Sequence, residues 1–443
     1  MMKATEQTRE FWNPIIETLP RERLMEIELK RFRELLRWAK DTSPFYKRKL
    51  DGIEPEDIRT LEDVGKVPMT EKDELRAAQE GKEPYLYGDL LAVPPERLSI
   101  FHQTSGTTGK PVYIPDTYES WQWVVEVWCY ILYAAGFRPW DRVFMPFAYN
   151  VYIAFWQGHY AAEKLGCEVV PGGALDTKGR IQKMKETKAT ALMNTPTYGL
   201  HMAEVVKEMG IDPRRDLNIK RMICAGEPMP EPTRLRLEEE WGADVYDHIG
   251  GTEPGGWAGM CSMKKGMHVI EPHFLLEMVD LETMSKPIPP GSRGVAVITT
   301  LCRRCIPLIR FNLKDVMLVM DEPCPCGRTS IRVDQVGGRV DDLRKIRGVF
   351  FNPAIVEEVL RGKFPEVVEF ETHLTQEDVM PVLTVRVEFD PSIGESQWKE
   401  LRSRIREALK IRSNLTFEIE TVKPGVLPRY TLKSSRFKDL IKK

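Results

Sequence analysis

Apolar and charged positions alternate at helical spacing from about residue 6 to 50, with Leu24, Ile27, Leu29, Phe32, Leu35, Leu36 and Trp38 on one face. Pro44 ends that run, because proline lacks the donor a helix interior needs. Thr70 before Glu71–Leu75 reads as an N-cap opening a further helix. From 98 to 300 the pattern changes to short apolar strands, Arg142–Met145, Glu168–Val170, Ala191–Met193 and Arg221–Cys224 among them, separated by amphipathic helices such as Ile153–Leu165 and Pro196–Met209. That alternation predicts an α/β fold, a parallel sheet with helices on both faces. After about 270, His273–Val279, Gly294–Thr300, Pro307–Phe311 and Val316–Val319 read as antiparallel strands around turns such as Pro289-Pro290-Gly291. Beyond Asp341 comes a compact α+β pattern: helix 353–361, strands near 368–373 and 382–389, helix 395–409, and a strand at 415–420. The expected architecture is a large domain, 1–338, of parallel sheet plus a β-rich subdomain, followed by a small α+β domain, 339–443.

Composition narrows the class. The chain has 443 residues, 42% hydrophobic and 29% charged, enough for a large core in a soluble protein. A formal net charge of −2 gives no electrostatic case for nucleic acid or an anionic membrane. The most apolar stretch, Trp121–Phe137, carries Glu126 and is short for a bilayer, so it reads as a buried helix. The N-terminal residues lack the apolar core of a signal peptide. Eight cysteines without an export signal point to a reducing cytoplasm, not a disulfide scaffold. A homodimer is left open.

The most chemically loaded segment is Gln103-Thr104-Ser105-Gly106-Thr107-Thr108-Gly109-Lys110-Pro111. Small hydroxyl and glycine residues bring backbone N–H groups close to an anion, and Lys110 adds a point charge, which suits a polyphosphate. Gly106 and Gly109 are too close for a Walker A loop, and such a segment by default is only a turn. Ile223-Cys224-Ala225-Gly226-Glu227-Pro228 is a strand ending in a tight turn, where doubly wound sheets form their ligand crevice. Asp247-His248-Ile249-Gly250-Gly251-Thr252-Glu253 follows the apolar pair Val245-Tyr246. Its glycines free the backbone to approach a ligand, and Thr252 and Glu253 supply oxygen donors of the kind Mg²⁺ prefers. Eight cysteines also give pairs with metal-site spacing. Cys302-x-x-Cys305 with Cys324-x-Cys326 is one set, and Cys261 with His268 supplies another pair.

Taken in order, these motifs resemble the adenylate-forming (acyl-CoA synthetase) family. Thr104–Pro111 resembles its phosphate loop. Ser43-Pro44-Phe45-Tyr46, Cys324-Pro325-Cys326-Gly327-Arg328-Thr329, Gly338-Arg339-Val340-Asp341-Asp342, Ile346-Arg347-Gly348 and Leu427-Pro428-Arg429 are similar to the phenylacetate–coenzyme A ligase branch. The resemblance runs from about residue 40 to 438. It implies that Gly226, Glu227 and Pro228 frame the adenine, with Asp247, His248 and Ile249 beside it. It implies that Thr252 meets the α-phosphate and Glu253 holds magnesium. It further implies that Asp315, closing Leu308–Asp315, binds both ribose hydroxyls, since a carboxylate can accept from a diol. Arg339 would meet the nucleotide, Asp341 would be the hinge of domain rotation, and Lys433 would enter from the small domain to neutralise the α-phosphate. Lys433 lies in Pro428-Arg429-Tyr430-Thr431-Leu432-Lys433, where Leu432 replaces the family's glycine. For the metal, the branch favours Cys261, His268, Cys324 and Cys326 as four ligands of a structural zinc.

The implied reaction joins a carboxylic acid to coenzyme A, with ATP and Mg²⁺, through an acyl-adenylate. Two rivals stay open: an adenylate-forming enzyme with a non-CoA acceptor, and a catalytically silent nucleotide-binding regulator. The acid is expected beside Phe147, Tyr149, Tyr152, Phe155, Gly250 and Gly251. Phe155 and Gln157 stand where aryl-acetate relatives have glycines, so a small or polar-substituted acid is expected, with Gln157 and Asn150 available to hydrogen-bond it.

Overall fold

In the computed structural model the described residues are 10–80, 86–104, 110–334, 337–340, 343–346, 349–377, 380–429 and 436–441. Ser105, Gly106, Thr107, Thr108, Gly109, Asp341 and Lys433 lie outside them.

The N-terminal helical pattern resolves into α1 (Pro14–Glu17), α2 (Arg21–Thr42) and α3 (Pro44–Lys49). Pro44 does end α2, but it also starts α3 at the first helical position, where its missing N–H costs nothing. Ser43 caps α3, and its hydroxyl also faces the carbonyls of Asp89 and Leu90. The fully buried Tyr46 hydroxyl accepts the Ile309 N–H at 3.1 Å, and burial pushes its pKa up to about 12. Ser43-Pro44-Phe45-Tyr46 is therefore a packing motif. Before α4 (Lys72–Gln79) the capping residue is Glu71, not Thr70: Glu71 N–H is taken by Glu74 Oε2 at 2.8 Å. Thr70 is buried and spends its hydroxyl on the Ile309 carbonyl.

A hairpin, β1 (Leu98–Gln103) and β2 (Tyr113–Thr117), precedes the core helix α5 (Tyr118–Ala134). Then come β3 (Arg142–Met145), α6 (Ile153–Leu165), β4 (Glu168–Pro171), α7 (Thr177–Thr187), β5 (Ala191–Asn194), α8 (Pro196–Glu208), α9 (Pro213–Asp216), β6 (Arg221–Cys224) and α10 (Glu231–Trp241). The antiparallel series is β7 (Asp244–Gly251), β8 (Gly255–Met260), β9 (Met267–Val269), β10 (Phe274–Val279), β11 (Arg293–Thr300), β12 (Phe311–Met320) and β13 (Arg332–Val333). All eleven from β3 onward form one sheet in the order β10-β11-β12-β13-β9-β8-β7-β6-β5-β3-β4. Strands β7, β6, β5, β3 and β4 run parallel, and the remaining pairings are antiparallel. The β-rich part thus continues the parallel sheet. Of the two short strands expected at Pro307–Phe311 and Val316–Val319, only the second forms, inside one longer strand, β12. It begins only after Arg310, which has φ +48 and uses its buried guanidinium to hold Glu277 and the Gly65 and Val67 carbonyls.

The C-terminal unit comprises a hairpin, β14 (Arg344–Ile346) and β15 (Val349–Phe351), then α11 (Ala354–Lys363), β16 (Val367–Glu377), β17 (Met380–Phe389), α12 (Glu395–Ser413), β18 (Phe417–Val422) and β19 (Phe437–Asp439). Its four-stranded sheet, β18-β17-β16-β19, packs on the two helices around its own core of Val356, Leu360, Phe370, Val385, Ile405 and Phe417. Alternating apolar residues bury one face of each strand there, as the α+β reading anticipates.

Candidate active site at the edge of the sheet

The expected phosphate loop grows from the β1–β2 hairpin. Thr104 N–H donates to the Val112 carbonyl at 3.0 Å, and the Thr104 hydroxyl accepts the Val112 N–H at 2.9 Å. The side chain of Thr104 therefore pins the base of the segment. Lys110 is exposed and pairs with Glu80 at 3.0 Å.

Thr252 and Glu253 form the tip of the β7–β8 hairpin, with Gly251 opposite Gly255. Gly250 is small for a reason other than ligand approach. A Cβ there would lie 2.9 Å from the Gly255 carbonyl and the Gly256 Cα. The Glu253 carboxylate is 2.9 Å from Lys72 Nζ. Its carbonyl accepts from Arg303, a fully buried arginine that also forms a bidentate pair with the equally buried Asp116. The hairpin tip is thus fastened from below by a desolvated ion pair, and such a pair is stable only while complete.

Asp247 is buried in the middle of β7, opposite Cys224 at the end of β6, and accepts the His248 N–H at 2.8 Å. Desolvation pushes its carboxyl up to about 8. His248 Nδ1 faces the Cys224 carbonyl at 2.9 Å, and burial lowers its pKa to about 4, so the ring is neutral. Ile249 is buried one residue further on. At the end of β6, Gly226 adopts φ +88. Glu227, beside Pro228, accepts the Thr197 N–H at 2.6 Å, which ties this turn to the start of α8. Asp315 bridges to Arg339, whose Nη1 is 2.7 Å from Asp315 Oδ1.

One helix that the sequence reading did not count as part of the site connects several of these pieces. Glu71 accepts from Asn312 on β12 at 2.9 Å, Lys72 meets Glu253, Arg76 donates to the Lys110 carbonyl at 2.9 Å, and Gln79 bonds both polar groups of the Tyr113 backbone. Helix α4 is a strut between the strand of Asp315, the hairpin tip and the C-terminal flank of the loop segment. Its charged face looks like an ordinary solvated helix in sequence. Arg303 is equally hidden, one of the two arginines between Cys302 and Cys305.

The acid-side residues are more closed than expected. Phe147 is fully buried and stacks on Phe155 at 3.4 Å between ring centroids. Tyr149 is partly buried, its hydroxyl 2.7 Å from His159 Nδ1, while Tyr152 is exposed. Gln157 is buried, and its carbonyl oxygen already accepts from Trp128 Nε1 and from Gly256 N–H at 3.1 Å. Its acceptor is committed to the core between α5, α6 and β8, which corrects the idea that it waits for substrate. Asn150 uses its side-chain oxygen on the Tyr152 N–H.

Cys261, His268, Cys324 and Cys326 are all buried, with ligand atoms within 4.8 Å of one another. Cys261 Sγ is 3.7 Å from Cys324 Sγ, and Cys326 Sγ is 3.4 Å from His268 Nε2. Tetrahedral zinc with Zn–S of about 2.3 Å requires S···S edges of about 3.8 Å and slightly shorter S···N edges. His268 Nδ1 lies 3.1 Å from Ser330 Oγ, a support that leaves Nε2 for a metal. The donor set fits zinc. Cys302 and Cys305 stand outside this cluster.

Residues 40–298 match the AMP-binding enzyme family and residues 348–440 the AMP-binding enzyme C-terminal domain. The chain is 32% identical over 440 residues to a phenylacetate-coenzyme A ligase of Thermus thermophilus, covering 95% of this chain and 97% of that one. It is 31% identical over 430 residues to the phenylacetate-coenzyme A ligase of Aromatoleum evansii, covering 94% of each. Among solved structures, 2-hydroxyisobutyryl-CoA ligase in the postadenylation state with 2-HIB-AMP gives a TM-score of 0.92 at 27% identity, over 99% of this chain and 94% of that one. The same ligase with 2-HIB-AMP and CoA in the thioesterification state gives 0.73 at 28% identity, over 100% and 94%. The overall arrangement of this chain is therefore closer to the postadenylation structure than to the thioesterification one.

Proposed function

The chain belongs to the AMP-binding enzyme family, and on that premise we propose that it is an ATP-dependent acyl-CoA ligase working through an acyl-adenylate. A carboxylate oxygen attacks the α-phosphorus of ATP and pyrophosphate leaves. The thiol of coenzyme A then attacks the acyl carbon and AMP leaves. No protein nucleophile is needed, since holding the reactants and neutralising charge suffice.

The observation that carries this reading is the α4 strut, which links the Asp315 strand, the Glu253 hairpin and the C-terminal flank of the loop. In this assignment Thr104–Lys110 cradle the phosphates, Thr252 meets the α-phosphate, and Gly226–Pro228 with Asp247–Ile249 surround the adenine. Asp315 takes the ribose hydroxyls, and Arg339 exchanges its bond to Asp315 for the nucleotide. Glu253 and the phosphates would hold Mg²⁺, a hard cation that favours carboxylate and phosphate oxygens. The four-residue Cys/His cluster would hold a structural zinc. Lys433 is assigned to the adenylation step and Asp341 to the hinge, with the domains dividing after residue 338. Eight free cysteines favour a reducing cytoplasm. Among the described residues no helix is long and apolar enough to cross a membrane.

For the acid we propose a compact one, a short hydroxy acid or small aryl acid. Stacked Phe147 and Phe155 and the Gln157–Trp128 pair fill volume beside α6, and a Cβ on Gly158 would already lie 2.7 Å from Met193 Sδ. Pyrophosphate release across short branched hydroxy acids, benzoate, hydroxybenzoates and phenylacetate, with and without CoA, tests both parts. Acid-dependent release with thioester formation is expected. Preference for phenylacetate or longer acids would refute the compact pocket, and release that CoA never converts to thioester would refute the acceptor.

A further inference from the structure

The seam between the C-terminal unit and α8 holds a buried charge cluster that the reaction above does not use. Arg436, on the small side, is 8% exposed. Its Nε and Nη2 grip Glu369 at 2.7 and 3.2 Å, and its Nη1 lies 3.5 Å from Glu357 and 3.3 Å from Thr197 Oγ1 on the large side. Thr197 is the residue whose N–H is held by Glu227, in the turn assigned to adenine. Glu227 also attracts Arg436 across the seam and repels Glu357, while Arg361 adds a second guanidinium, 3.5 Å from Glu369. Arg361, Arg429, Arg236 and Glu204 are among the residues lining an adjoining cavity of only about 10 Å³, room for about one water.

We propose that Arg436 is a positioning residue, a latch that holds the small domain in the adenylation orientation and couples that orientation to the nucleotide-facing Gly226-Glu227-Pro228 turn. The inference rests on the adenylate-forming reading. Without the guanidinium, the buried seam loses its bond from the small side to Thr197 and its attraction to Glu227, and this orientation loses its advantage. Rotation toward the thioester-forming orientation carries Arg436 away with Glu369 and Glu357 and leaves Thr197 and Glu227 behind. Arg436 also lies three residues after Lys433 in the sequence.

The test separates the half-reactions. Arg436→Gln should lower acid-dependent ATP–pyrophosphate exchange at least tenfold, with conversion of supplied acyl-adenylate to thioester unchanged or faster. Arg436→Lys should recover part of the exchange. Thr197→Val, which leaves the small domain's own ion pairs intact, should lower exchange severalfold with the same selectivity, so a folding defect in the Arg436 variants would not shelter the proposal. X-ray scattering should show the variants departing from the wild-type domain arrangement. Equal loss in both half-reactions, or unchanged exchange in Arg436→Gln and Thr197→Val, would overturn the latch. Wild-type protein without acid-dependent exchange would overturn the ligase reading instead.

Discussion

Replacing Cys324 by serine removes one corner of the sulfur–nitrogen tetrahedron, and the size of the effect can be worked out. A ligand present at about a hundred times its dissociation constant stabilises the state that binds it by about 2.7 kcal/mol. Unfolding entropy of about 2.1 cal/mol/K per residue amounts to about 0.9 kcal/mol/K for this chain if it unfolds in one transition. Loss of zinc should then lower Tm by about 3 °C, and by more if zinc binds more tightly. The cluster has a second load. Arg328, two residues beyond Cys326, pairs with Glu17 at 2.6 Å, and Thr329 N–H bonds the Glu17 carbonyl at 3.1 Å, so the Cys324–Thr329 loop anchors the N-terminal segment. Purified wild type should contain about one zinc per chain by elemental analysis, and Cys324→Ser should lose it. Scanning calorimetry should show the fall in Tm, and a strong chelator should reproduce it in the wild type but not in the variant. Cys302→Ser, outside the cluster, should keep both metal and Tm. Metal-free wild type, or loss of metal in Cys302→Ser, would refute the assignment.

Lys433→Ala should abolish acid-dependent ATP–pyrophosphate exchange while sparing thioester formation from supplied acyl-adenylate; equal loss of both would remove its adenylation role. Asp116→Ala leaves the Arg303 guanidinium buried without its partner, so urea denaturation should show a loss of about 3–5 kcal/mol; a change below about 1 kcal/mol would contradict the fastening of the hairpin. Asp247 gives a pH dependence. Its folded pKa is raised to about 8 from an ordinary 3.8, so between those values the folded state keeps a proton the unfolded state has lost. Stability should fall as pH rises from about 4 toward 8, by at most about 1.4 kcal/mol per pH unit from this group. Asp247→Asn should flatten that slope in thermal melts across the range, and an unchanged slope would show that Asp247 ionises normally.

The alternation of apolar strands and amphipathic helices determined the α/β class, because period-2 and period-3.6 patterns must each bury one face. It likewise marked out the α+β C-terminal unit, whose helices and strands lie within a few residues of those expected. Motif order carried the family, and the Cys/His spacing together with the resemblance picked the four ligands that the fold brings together. Other features were decided only by contacts between residues far apart in the chain. Local propensity marked Thr70 as a cap, but the Ile309 carbonyl, 239 residues away, claims its hydroxyl. Gln157 looks like a polar group awaiting substrate until the Trp128 indole and the Gly256 N–H occupy its oxygen. The continuity of the sheet through β13 rests on two short pairings, to β12 and to β9, too brief to leave a periodic signal. Buried ion pairs were the least legible. Asp116 with Arg303, and Arg436 with Glu369, are in sequence ordinary charges near strands. Only desolvation by the surrounding core, which makes an unpaired charge untenable, turns the first into a fastening of the hairpin and the second into part of the C-terminal unit's own packing.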